Sequence, residues 1–564
     1  MTKDHLQSMA ADPRFRELPV TRNQHGWVPW LLALAMLIAA AAILHQGRGT
    51  LPFFDEWNFI IERRGHSLDT LLRPHNGHLV VAPLLLYKLL LQIAGLTDYW
   101  VFRAVLVGLH LLVGLGVFTL ARRRVGDVGA LVAAALVLFC FAAADDLLWA
   151  FQISFLLAMA FGVWMLVGLD RNSLGGDLLA CVCLAGALAS AAIGLPFAVT
   201  AIVIVGADKR RLQRAWVVAI PLVLFALWYL AYGVSELKLG NAQVVPRFAA
   251  EMASNAAGGL VGLGIEYGRP LALALGAAVA FRLATPRRAT PWLIAVVLTA
   301  VAVWALTALA RGDIGEPLAP RYIYPGAVLI VLIVVELLRG RRLATSAAPV
   351  ALLLVCLAGL ANYATLGAFA AGLRGNADAL EARLGALALV GTAVPDGFQA
   401  VPREAPVITP RGALESQRDF GAIGLSAGAL ASASANQRAA ADSVLISAGQ
   451  VTVGRASTVS GSAPKLLLVR NASAVPEGGC TRIVPRRGGS SSVDVELPAG
   501  SALALRSSAL VPVFLRRFGD GFAAKPSLVI PASKATLLQA RADSAEVTWT
   551  VALKPSAPLK VCTR

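Results

Sequence analysis

Residues 27–44 read WVPWLLALAMLIAAAAIL, and shortly after them comes Phe53-Phe54-Asp55-Glu56-Trp57. An uncharged run of this length can cross the hydrocarbon of a bilayer as a helix. A carboxylate at the centre of such a helix costs about 2.5–3.5 kcal/mol on insertion scales, so the acidic pair marks the end of the span and faces water, a partner or a substrate.

The pattern recurs along the chain. The 564 residues are 57% hydrophobic with a mean hydropathy of +0.68, and the apolar runs lack the polar face of a soluble helix. The formal net charge is +17, but the basic residues cluster beside apolar runs, at Arg122-Arg123-Arg124, Lys209-Arg210-Arg211, Arg287-Arg288 and Arg339 to Arg342. Such clusters mark cytoplasmic loops. There is no aromatic interleaving and no zinc or helix-turn-helix spacing, which excludes a nucleic-acid reading. The polar start, residues 1–26, carries no cleavage pattern after it and reads as a cytoplasmic segment before an uncleaved first helix.

Parity of the basic clusters predicts the topology. Span 1 (about 27–46) exits outward, and 79–96, interrupted by Lys88, reads as a re-entrant or interfacial helix on the outer side. Spans 2 (99–120), 3 (127–144) and 4 (147–169) follow, with Asp145-Asp146 outside. Residues 178–206 join two inner loops and form a short hairpin breaking at Ser190 to Pro196. Spans 7 (215–233), 8 (about 257–283), 9 (291–310), 10 (323–338) and 11 (347–370) complete a polytopic α-helical membrane domain of about eleven spans, 27–374.

The tail beyond Arg374 then lies outside. Leu380, Leu384, Leu387 and Val390 suggest one amphipathic helix over 376–392, and 394–440 reads as irregular chain; together these make a 375–442 connecting region. From 443 to 564, β-rich runs (Val444–Ile446, Lys465–Val469, Val493–Leu497, Val511–Phe518, Ser527–Ile530, Glu546–Leu553) alternate with turn signals such as Pro476-Glu477-Gly478-Gly479 and Arg487-Gly488-Gly489. This spacing predicts an extracytoplasmic β-sandwich, jelly-roll-like. Cys140, Cys181, Cys183 and Cys356 sit in apolar runs. Cys480 and Cys562 lie in the polar region, and a disulfide between them would stabilise the domain by roughly 4 kcal/mol in an oxidising compartment.

On this topology four polar groups share the outer face: Asp55-Glu56; Pro74-His75-Asn76-Gly77-His78; Asp145-Asp146 with Trp149 and Gln152; and Arg311-Gly312-Asp313 through Pro320-Arg321-Tyr322-Ile323-Tyr324. Singly, each is compatible with loop residues or a span end. Together they suit displacement at a sugar carried on a lipid phosphate. Asp55 or Glu56 would be the base for an acceptor hydroxyl, and Arg321, Tyr322 or a histidine would meet the departing phosphate. Asp55, Glu56, Asp145 and Asp146 are also a carboxylate set for a divalent cation, Mg or Mn, though the chemistry does not require one.

This layout resembles the C-type glycosyltransferase superfamily (GT-C), multi-spanning enzymes that use polyprenyl-phosphate sugars. The resemblance rests on the first-loop acids Asp55-Glu56, the His75 to Leu91 segment leading into an embedded helix, Trp100-Val101-Phe102-Arg103, Leu148-Trp149-Ala150-Phe151-Gln152-Ile153, and Pro320-Arg321-Tyr322-Ile323-Tyr324-Pro325. His75-Asn76-Gly77-His78 stands where relatives commonly carry His-Pro-Pro. The resemblance implies Asp55 first and Glu56 second as base, and Asp145, Asp146, His75 and His78 as acceptor- or metal-assisting groups. It places Arg321, Tyr322 and Arg311 near the donor phosphate. It further implies inversion at the anomeric carbon and an extracytoplasmic glycan, lipid or protein acceptor, while the Ala-, Arg- and Gly-biased usage points to a GC-rich bacterium and so to a bacterial plasma membrane.

Two other functions fit the composition. A flippase or transporter of lipid-linked sugars should carry ionisable groups near the bilayer midplane, but apart from Glu266 and Arg269 the mid-span segments are almost uncharged, and ionisable groups gathered at one face favour an enzyme. A non-catalytic envelope protein binding polysaccharide through its sandwich would not depend on Asp55.

Overall fold

A computed structural model describes residues 26–285, 289–391, 394, 398–401, 405–486 and 489–564. The N-terminal segment, Arg287-Arg288, Arg487-Gly488 and parts of the 394–440 stretch lie outside the described residues. The chain forms two compact units. One comprises Met1–Pro52, Arg63–Ala94 and Asp98–Arg374, the other Phe53–Glu62, Gly95–Thr97 and Gly375–Arg564.

Among the described residues six helices are long and apolar enough to cross a membrane: Val28–Gln46, Trp100–Leu138, Ala150–Arg171, Pro291–Arg311, Pro320–Leu337 and Thr345–Val390. Shorter apolar helices cover Val81–Ala94, Leu174–Leu188, Ala192–Ala207 and Trp216–Tyr232. Trp100–Leu138 is not one rod. Gly126 leaves helical geometry at φ 78°, ψ 178°, and His110 Nε2 reaches the Leu138 carbonyl at 3.2 Å. A straight helix would set those residues about 42 Å apart at 1.5 Å per residue. The element is therefore a hairpin turning at the arginine triplet, which matches the expected spans 2 and 3 except at the far end. The second limb stops at Leu138 instead of 144, and Asp145-Asp146 open a separate short helix, Ala144–Leu148, where acids suit the positive end of the dipole.

The break expected in 178–206 falls between Leu188 and Leu195. Span 8 needs correction. Gly262 and Gly264 both take positive φ and divide the stretch into Val245–Val261, which the hydropathy pattern missed, and Gly264–Leu283. The two helices touch through small residues: a Cβ on Gly268 would lie 1.9 Å from the Ser254 carbonyl oxygen. A second correction concerns 376–392. It is no separate helix but the end of Ala348–Val390, because Asn376, Asp378, Glu381 and Arg383 change the polarity of the surface without stopping the helix.

Two buried arginines of the helical unit are paired with carboxylates. The Arg124 guanidinium donates to Glu336 and, at 3.0 Å, to Asp170, and stacks 4.6 Å from the Trp292 ring. Arg214 pairs with Asp177 at 2.6 Å and with Asp208.

The other unit carries an antiparallel β-domain. Its strands are β1 (Val451–Arg455), β2 (Leu466–Arg470), β3 (Ala472–Glu477), β4 (Cys480–Pro485), β5 (Ser492–Leu497), β6 (Ala502–Ser507), β7 (Val511–Arg516), β8 (Leu528–Ile530), β9 (Thr536–Ala540), β10 (Trp549–Leu553) and β11 (Leu559–Thr563). One sheet runs β1-β9-β6-β11-β4-β3 and the other β2-β5-β10-β7-β8. From β4 onward the orders 9-6-11-4 and 5-10-7-8 are those of a jelly roll. Cys480 and Cys562, on the paired strands β4 and β11, form the expected disulfide.

Val444–Ile446 is not a strand: it belongs to the helix Ala435–Ser447, begun by a Ser434/Gln437 capping box. The supposedly irregular stretch before it also contains the helices Pro410–Phe420 and Ala427–Ser432. The Asp442 carboxylate fixes the end of the last helix to the domain by accepting from the N–H groups of Arg517, Phe518 and Gly519, each at 2.9 Å.

Candidate functional site

Ala144–Leu148 is too short to hold itself together, and it packs against the turn Pro320–Tyr322. That contact brings Asp145, Asp146 and Arg321 together. Burial is the largest influence on Asp145 and raises its carboxyl to about 6 against the Arg321 charge and backbone N–H, which favour ionisation. Asp146 is wholly buried. Burial first, and then the Asp145 charge, push it well above the ordinary carboxylate range, with Arg321 opposing. Neither Asp146 oxygen has a hydrogen-bond partner among the described residues; its own amide is near but not placed to bond either one. The Gln152 carbonyl oxygen is buried and unpartnered as well.

Arg321 lies over the Tyr322 ring at 5.1 Å and 3.6 Å from Glu316, its side chain one-third exposed. It is a cation within reach of an incoming anion.

Behind Asp146 sits a pair that hydropathy reading overlooked. His110, fully buried, shares a 2.9 Å hydrogen bond with the Tyr324 hydroxyl. The Leu138 carbonyl can only accept, so the proton is on Nε2 and Nδ1 accepts from Tyr324. The signal was present: residues 104–121 are otherwise uncharged, and His110 is the one ionisable side chain among them.

His75-Asn76-Gly77-His78 forms a two-residue hairpin. Asn76 and Gly77 take φ of 48° and 71°, as a type I′ turn requires, and His75 and His78 exchange both backbone hydrogen bonds. His75 packs edge-on against Phe151, which stacks on Trp149. Burial, with the nearby Arg63 charge, lowers His75 to about 4, so it is neutral at physiological pH and cannot supply positive charge to a phosphate. His78 is lowered chiefly by burial and then by Arg311, with Glu236 opposing. Arg311 itself pairs with Glu236 at 3.6 Å.

Arg63 and Lys88 organise this loop, a role not evident from sequence. The Arg63 guanidinium donates to the carbonyls of Thr70, Arg73 and Pro74 at 2.7–2.9 Å. Lys88 Nζ donates to those of Arg63 and Gly65 at 2.5 and 2.7 Å.

Asp55 and Glu56 belong to the other compact unit, and there they differ. Glu56 is fully buried and its carboxylate accepts from the Phe53 N–H at 2.8 Å, a turn-closing role. Asp55 is half-buried and follows Phe54, which is held at φ 49°, a conformation costly for a bulky residue.

As for a cation, no group of three or more His, Cys, Asp and Glu side chains among the described residues has metal-holding geometry. Asp145-Asp146 alone supply too few oxygens for Mg or Mn, so no step is derived through a metal. In the β-domain, Phe514, Phe518 and Trp549 are core residues and do not form a sugar-stacking platform. No protein-family model matches the chain, and neither the curated proteins nor the solved structures contain a significant match to it.

Proposed function

We propose that the protein is a membrane glycosyltransferase of the GT-C kind, moving a sugar from a polyprenyl-phosphate donor to an extracytoplasmic glycan, lipid or protein acceptor with inversion. The observation that carries this reading is Asp145 beside Arg321. A carboxyl held at about 6 can take a proton near neutral pH, and the part-exposed guanidinium next to it suits a departing phosphate.

In this mechanism the acceptor hydroxyl gives its proton to a carboxylate as its oxygen bonds to the anomeric carbon. The bond from that carbon to the phosphate oxygen breaks, and the electron pair leaves on the phosphate toward Arg321. Asp145 is the base favoured by its surroundings and Asp55 the base favoured by resemblance. The Cys480–Cys562 disulfide supports an oxidising compartment for the β-domain, in keeping with a bacterial plasma membrane and an outward-facing tail.

Transfer of labelled sugar from polyprenyl-phosphate donors tests the reading, using wild type, Asp145→Asn and Asp55→Asn in membranes. Wild-type transfer lost in Asp145→Asn supports it. No transfer from any such donor by wild type overturns it.

A further inference from the structure

Neither Asp146 oxygen accepts a hydrogen bond among the described residues, and the buried donor pair behind it is committed elsewhere. The Tyr324 hydroxyl, within electrostatic reach of Asp146, gives its hydrogen to His110 Nδ1, and His110 Nε2–H goes to the Leu138 carbonyl. The chain of donors ends on a backbone oxygen, which has no proton to return. Arg321 is turned to Glu316 and the Tyr322 ring. The Cys140 thiol is buried and pushed up to about 12 chiefly by that burial, so it is a neutral group here. Asp145 adds a like charge next door.

A fully buried carboxylate without a donor or a bonded cation is among the costliest arrangements in a protein, and the usual escape is to keep the proton. We propose that Asp146 is held as the neutral acid, so that the Asp145-Asp146 pair carries a single negative charge and Asp146 acts as a positioning residue that leaves Asp145 as the pair's one anion beside Arg321. The dead-end polarity of the Tyr324–His110 chain makes this a proton store and not a conduction path, which separates it from the ionisable relay a transporter would need.

The test is infrared difference spectroscopy, with hydrogen–deuterium exchange to identify the band, on the full chain in lipid nanodiscs at pH 8. Wild type and Asp145→Asn should both show a protonated carboxylic acid carbonyl band, and Asp146→Asn should lose it. Asp146→Asn should also keep the wild-type melting temperature between pH 6 and pH 8, since the amide replaces one neutral group with another. A wild type without the band at pH 8, or a band of equal intensity in wild type and Asp146→Asn, overturns the proposal. Neither readout requires sugar transfer, so this result is independent of the proposed function.

Discussion

Arg124 and Glu336 form an ion pair with only 3% of each side chain exposed, joining the arginine triplet's hairpin to the helix that starts at Ile323. Removing Glu336 leaves Asp170 as the carboxylate facing Arg124 and takes the partner from Arg339, and breaking such a buried network costs up to about 3–5 kcal/mol. Glu336→Ala should therefore lower the melting temperature sharply in detergent-solubilised protein. Asp313→Ala, which breaks an exposed pair with Lys238, should leave it unchanged.

The charge state of Asp145 sets a pH dependence. With its folded pKa raised to about 6, the carboxylate needed to accept a proton is present above that value and lost as the pH falls through it. Transfer should drop about tenfold from pH 7 to pH 5. An ordinary carboxylate would hold the rate nearly flat to pH 5, and a flat profile would remove Asp145 from the role of base.

Gly268 lies where Val245–Val261 and Gly264–Leu283 are closest, with space for hydrogen only. Gly268→Ala must push the helices apart or distort them, at about 1–3 kcal/mol. Gly276, with open space at its Cβ position, is the control: Gly276→Ala should be neutral or slightly stabilising. Thermal unfolding of both variants in one detergent makes the comparison.

The disulfide closes a long loop, with a sequence separation of 82. In the chain-entropy model its loss costs about 4.5 kcal/mol. Cys562→Ser, or dithiothreitol added to the wild type, should make the β-domain sensitive to limited proteolysis at temperatures where the oxidised domain resists.

What could be read from sequence follows from how far each signal reaches. Uncharged runs such as Val28–Gln46 report themselves locally, because every residue must tolerate lipid. The Cys480–Cys562 pairing was legible because both cysteines stood alone in a polar region. Averaging over a window concealed Gly262 and Gly264, whose backbone geometry divides a stretch of uniform hydropathy. It also made Ala348–Val390 look like two elements, because polarity changed while helix propensity did not.

The site was legible to the same extent. Asp145, Asp146 and Arg321 were named as residues, yet their meeting depends on how Ala144–Leu148 packs on Pro320–Tyr322. The roles of Arg63 and Lys88 rest on carbonyls that any loop sequence would offer, so no residue pattern announces them. Glu56 and Asp55 are equivalent as text and become distinguishable only once one carboxylate closes a turn.

The strand order of the β-domain also bears on how the protein is made. β11 sits between β4 and β6, so two strands synthesised much earlier have no common neighbour until Leu559–Thr563 arrive. Before then the sheet has a gap at its middle, with unpaired backbone edges on either side of it, and Cys480 has no partner thiol to meet. A chain folding as it is made would therefore hold this domain open until β11 had been added, and would close sheet and disulfide in a single late event.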